Sequence, residues 1–137
     1  MRKPGKTILA AVAAVLFSLS GAVSFCWAGD APRVVEMTAD KDNRFRLADG
    51  QKGPLRLKPG EKVTFRITSY FGGEKARDGS VHSFVVRKLR AQGWDVRLKE
   101  GVQEFTLTAP EPGEYMIECT VQCGPGHDDM NFKMVVQ

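Results

Sequence analysis

The run Cys119-Thr120-Val121-Gln122-Cys123-Gly124-Pro125-Gly126-His127-Asp128-Asp129-Met130 sets two thiols, an imidazole and a thioether at intervals of three or four residues. Thiolates, imidazoles and thioethers are soft or borderline donors, a set that suits copper or another thiophilic metal and not magnesium or calcium. In a continuous strand Cys119 and Cys123 would lie roughly 13 Å apart, too far to share an ion. The chain must therefore curl after Cys119, and Gly124-Pro125-Gly126 supplies the backbone freedom for a further turn that brings His127 and Met130 back. The sequence holds just one other histidine, His82. Taken alone, the cysteine pair admits a second reading as a small-loop disulfide in an oxidising compartment.

The elements that must position these groups read as β-strands. Lys62 to Ser69 alternates Val63, Phe65 and Ile67 with Thr64, Arg66 and Thr68, one face buried and the other wet. Pro59-Gly60 sets a turn before it, which makes Leu55 to Lys58 a preceding strand. Further strands are expected at Arg33 to Thr38, Val81 to Leu89, Gln103 to Thr108, Gly113 to Cys119 and Asn131 to Val136, and Gly72 to Ser80 reads as an exposed loop. So many short strands in about a hundred residues imply an all-β sandwich or barrel. Alternation in Gly113 to Cys119 puts Tyr115, Ile117 and Cys119 on one face, so Cys119 points inward. His82 shares a side with Phe84 and Val86, which aims an imidazole at apolar surroundings where it needs a partner. Met37, Met116, Met134 and Trp94 read as packing residues, and Asp128 and Asp129 as solvated loop acids.

The N-terminus belongs to a different argument. Arg2, Lys3 and Lys6 precede an uncharged run from Thr7 to Ala28, the layout of a secretory signal, with Cys26-Trp27-Ala28 before Gly29 as the cleavage region. The expected organisation is a signal over residues 1–28 and one domain over 29–137, in a periplasmic or otherwise exported protein. Uncut, residues 7–28 would serve as a membrane anchor. Three of the 20 basic residues fall in the leader, so the remainder carries 17 against 16 acidic ones, and no nucleic-acid partner is expected of so even a balance. Removal of Cys26 leaves only Cys119 and Cys123.

The pattern C-x3-C-x3-H-x2-M, preceded by the strand Val81-His82-Ser83-Phe84, resembles the dinuclear CuA copper site of cytochrome c oxidase subunit II and nitrous oxide reductase. The resemblance spans about Arg33 to Gln137 and implies a cupredoxin-like Greek-key fold. Carried over by position, it makes Cys119 and Cys123 thiolates bridging two copper ions, with His82 and His127 each on one copper, Met130 a weak ligand on one and the Val121 carbonyl on the other. It implies an electron carrier, not an enzyme, whose partner is a redox protein such as a c-type cytochrome or a terminal reductase or oxidase. Val121 stands where the oxidases usually carry an acidic residue, which leaves its carbonyl role intact and its side chain free to vary. Phe84 stands where a tryptophan is common. Two other functions use the same donors: copper storage or delivery, and a mononuclear copper centre in which Cys119 is structural.

Overall fold

The computed structural model describes residues 31–137, so the expected leader over 1–28 lies outside the described residues. Strands β1 (Arg33–Ala39), β2 (Phe45–Leu47), β4 (Lys62–Ser69) and β7 (Gly101–Thr108) form one sheet in the order β2-β1-β4-β7. Strands β3 (Leu55–Leu57), β5 (His82–Val85), β6 (Asp95–Leu98), β8 (Gly113–Glu118) and β9 (Asn131–Val136) form the other, in the order β3-β9-β8-β5-β6. Pairing is antiparallel except between β1 and β4 and between β3 and β9. Among the described residues, no helix is long and apolar enough to cross a membrane.

The alternation read in β4 sets the register of its whole sheet. Phe65 lies across from Val35 on β1 and from Phe105 on β7, so three apolar side chains form one rung facing the second sheet. The second sheet answers with Phe84 and Ile117, and one hydrophobic core joins both layers. Phe65 and Phe84 meet with ring centroids 4.8 Å apart, and Trp94 packs against both. The Trp94 indole N–H donates to the Thr108 carbonyl at 3.2 Å, which satisfies its one polar atom inside the core.

The strand expected over Val81 to Leu89 is shorter than its pattern suggested. It ends at Val85, and Arg87–Gln92 winds into a 3-10 turn in which Leu89 alone is buried. The sequence Arg87-Lys88-Leu89-Arg90-Ala91-Gln92 offers one apolar anchor and no alternation, so a strand there would gain nothing from burial. β2 and β6 were not expected. Each is short and charged on its outer face, holding the core through Phe45 in one case and Leu98 in the other. Met116, read as packing, instead projects from the outer face of β8 at 42% exposure.

One irregularity locates the site. β5 and β8 pair through a single rung, Val85 opposite Glu118, and then part. Beyond it the Ser83 hydroxyl replaces the ladder, accepting the Thr120 N–H at 2.7 Å and sharing a hydrogen with the Thr120 hydroxyl at 3.0 Å. The cysteine loop leaves the sheet through that opening.

Candidate metal centre

Each donor is placed by a local reason. Cys119 follows β8 directly, and the alternation that buries Ile117 also buries Cys119, at 6% exposure. Its N–H donates to the Met130 carbonyl at 3.1 Å, one step beyond the rung pairing Glu118 with Asn131. The first and last donors of the motif therefore lie across from each other just beyond the paired ends of adjacent strands. Between them the chain turns at Gly124, whose φ of 118° is closed to residues with a Cβ. The His127 N–H then donates to the Gly124 carbonyl at 3.1 Å, and His127–Asp129 makes a short 3-10 turn that closes at Met130. β5 contributes His82 from the neighbouring strand, fully buried.

These elements gather the donors closely. The ligand atoms of His82, Cys119 and Cys123 lie within 4.8 Å of one another. The two sulfurs are 3.8 Å apart as free thiols, about twice a disulfide bond length, so the small-loop disulfide reading is not the state described. The Val121 carbonyl oxygen sits 3.3 Å from the Cys119 sulfur, and Cys123 has His127 Nδ1 at 3.4 Å and the Met130 sulfur at 3.8 Å.

Two features show that this set fits a metal ion. His82 Nε2 lies 2.7 Å from the Tyr70 carbonyl, which can only accept, so Nε2 carries the hydrogen and Nδ1 is left with a lone pair. That Nδ1 is buried with no hydrogen-bond partner, a costly arrangement unless something electron-poor sits against it. The ring is held as a metal-ligating histidine is held, with its far nitrogen tied to a carbonyl. Sharing of one hydrogen between the sulfurs, opposed by burial, holds the Cys119 thiol well below its ordinary range. The same shared hydrogen, together with burial and the Cys119 charge, pushes Cys123 up. A thiolate facing a carbonyl oxygen and an imidazole lone pair inside a buried cleft is a concentration of electron density that a soft cation would relieve.

All six residues singled out in the sequence meet here. Five are buried, and His127 is partly exposed. The Val121 side chain departs from expectation: it is 3% exposed and packed in the core, so it is not free to vary in size. Asp128 and Asp129 are exposed as expected, with Asp129 lying 3.7 Å from Arg44. The Tyr70 carbonyl and the Ser83 hydroxyl were not foreseen, because a carbonyl leaves no trace in residue type and a serine beside a ligand is one of many.

Two proteins from Thermus thermophilus named cytochrome c oxidase subunit 2 are each 30% identical to this chain over 115 residues. The match takes in 81% of this chain, and 77% of one relative and 62% of the other. The chain belongs to the cytochrome c oxidase subunit 2 family. Within that family it is a cupredoxin with a CuA-like domain. No protein-family profile matches it. Among solved structures, subunit 2 family likeness recurs at the level of fold. A chain of a heme-copper terminal oxidase dimer superposes with a TM-score of 0.57 at 19% identity, covering 80% of this chain and 68% of that one. The periplasmic domain of cytochrome oxidase subunit II from Bradyrhizobium japonicum gives 0.53 at 16% identity, covering 78% and 85%. Auracyanin A, a blue copper protein from Chloroflexus aurantiacus, gives 0.51 at 19% identity, covering 78% and 100%.

Proposed function

We propose that this subunit 2 family member is an exported electron-transfer protein that holds two copper ions in a CuA-like centre. The ligands are His82, Cys119, the Val121 carbonyl, Cys123, His127 and Met130. The observation that carries the reading is the grouping of donors about the two sulfurs. Cys119 has the Val121 carbonyl beside it, Cys123 has His127 and Met130, and His82 reaches both. One ion with four ligands would leave two of these six donors idle, whereas two ions sharing both sulfurs use all of them.

When bound, copper held by these residues would supply one-electron redox chemistry. The protein's part is to hold the ligands still. His82 is fixed by the Tyr70 carbonyl, Cys119 by the Met130 carbonyl and Thr120 by Ser83, so little has to rearrange when charge changes. Burial of the sulfurs excludes water. His127 is the most exposed of the ligand residues, and it is the proposed route through which a docked partner would exchange an electron. With its thiolates and imidazoles engaged by metal, the site would keep no donor free for acid–base or nucleophilic chemistry, so the proposed partner is a c-type cytochrome or a terminal oxidase or reductase.

The test is copper reconstitution of the reduced protein, followed by metal counting and electron paramagnetic resonance. Two coppers per chain and hyperfine structure from two equivalent nuclei are expected. One copper with the hyperfine pattern of a single nucleus would establish the mononuclear alternative. Copper handed over to a competing copper protein during one reduction cycle would establish delivery in place of electron transfer. Export is tested by sequencing the N-terminus of the native protein, which is expected to begin near Gly29.

A further inference from the structure

Beyond the ligands, the loops that carry them converge on one amide. Asn43 lies in the turn between β1 and β2, far from the motif in sequence, and is fully buried. Asp40 builds that turn: its Oδ1 accepts the N–H groups of Asp42 at 3.0 Å and Arg44 at 2.9 Å. The Asn43 backbone is held at φ 57°, and among the described residues no other non-glycine has a positive φ. Asparagine is one of the few residues that accept this conformation.

We propose that Asn43 is a positioning residue of the metal centre, its carboxamide fixing together the segment that orients His82 and the loop that carries Cys123 and His127; this rests on the ligand reading above. Its Nδ2 donates to the Gly72 carbonyl at 3.1 Å and to the Pro125 carbonyl at 2.6 Å. Gly72 stands two residues after Tyr70, whose carbonyl holds the His82 ring. Pro125 lies midway between Cys123 and His127. Since both acceptors are carbonyls, the amide nitrogen must face them, which fixes the orientation of the carboxamide. A third tie joins the same two segments directly, from the Glu74 N–H to the Cys123 carbonyl at 3.1 Å.

The closeness of the three segments around Asn43, Gly72 and Gly124 shows that the clamp is built and not incidental. A Cβ on Gly72 would lie 1.8 Å from Asn43 Oδ1, and one on Gly124 would lie 2.5 Å from the Gly72 carbonyl. Asn43 Oδ1 is itself buried without a partner. An apolar side chain would be strained at this φ and would leave the Gly72 and Pro125 carbonyls without their donor, so the position is explained by the two hydrogens the amide donates together with the backbone conformation it accepts. The consequence is that the two imidazoles, drawn from β5 and from the loop after β8, cannot shift independently while the amide is in place.

The test uses Asn43→Asp, which keeps the shape but presents acceptors to the two carbonyls, and Asn43→Gly, which keeps the positive φ and removes the clamp. Each is loaded with copper, and separately with cobalt(II) as a single-ion probe of the same ligands. Thermal melts of the metal-free forms report folding. Folded variants are expected to lose metal affinity by about 10–100-fold in chelator competition and to show altered absorption and copper resonance spectra. Lowered melting temperatures with spectra and metal affinities equal to the parent's would overturn the proposal, leaving Asn43 as a turn former. If neither variant folds, hydrogen exchange of the Asn43 side-chain amide in the parent decides. Strong protection is expected, and exchange at solvent rates would overturn the clamp. A parent that binds one copper where two are expected removes only the dinuclear reading. A parent that binds neither metal removes the ligand reading and the clamp together.

Discussion

Ser83 is where the sheet hands over to the ligand loop, and Ser83→Ala measures what that handover contributes. The hydroxyl is fully buried; it accepts the Thr120 N–H at 2.7 Å and meets the Thr120 hydroxyl at 3.0 Å. Alanine removes the acceptor and leaves the Thr120 N–H without its partner. An unsatisfied buried donor costs about 1–3 kcal/mol, and because Thr120 is only partly buried the lower part applies, about 1–2 kcal/mol. For a domain of about a hundred residues the unfolding entropy near the midpoint makes this a fall of roughly 5–9 °C in melting temperature. The assay is a thermal melt of the metal-free protein followed by circular dichroism, with Thr120→Val as the partner variant and the double mutant completing a cycle. Thr120 lies between Cys119 and Val121, so the copper-loaded form should fall further if the loop also holds metal less tightly. A metal-free melt within about 2 °C of the parent, with additive single mutants, would refute the claim that this hydroxyl substitutes for the missing rungs between β5 and β8.

Cys119→Ser or Cys123→Ser should abolish the two-copper spectrum and leave at most a single-nucleus signal, read by electron paramagnetic resonance and copper counting; an intact mixed-valence signal in either variant would exclude bridging. Val121→Ala should keep the copper spectrum, because the backbone supplies the proposed ligand, while costing roughly 1–3 kcal/mol of stability for the lost buried methyls, read by denaturant titration. In the metal-free protein the depressed Cys119 pKa leaves that sulfur ionised across neutral pH, whereas Cys123 keeps its hydrogen. Metal uptake by both sulfurs near pH 7 should therefore release about one proton from the pair, not the nearly two expected of ordinary thiols, measured with a pH indicator in weak buffer.

The candidate donors Cys119, Cys123, His127 and Met130, and their preference for copper or another thiophilic metal, were legible from residue types and spacing, since the chemistry of thiolate, imidazole and thioether does not depend on where the chain goes, whereas the roles proposed for His82 and the Val121 carbonyl came from the family resemblance. The inward aim of Cys119 was legible too, because period-two alternation in Gly113 to Cys119 is a property of the strand itself. The same rule failed after Val85: the strand's end depends on what Leu89 and Trp94 find to pack against, and no local pattern records that. Val121 shows the limit most directly. Its proposed carbonyl role came from the family resemblance, but whether its side chain is free was decided by the core that closes over it. Likewise, nothing near Asp40-Lys41-Asp42-Asn43-Arg44 in sequence speaks of a metal site 82 positions away, yet the Asn43 amide meets the Pro125 carbonyl there. Donor chemistry is carried by individual residues and survives in one dimension. The arrangement that aims two imidazoles at two sulfurs depends on which loops the sandwich brings to one end, and that exists only once both sheets have packed.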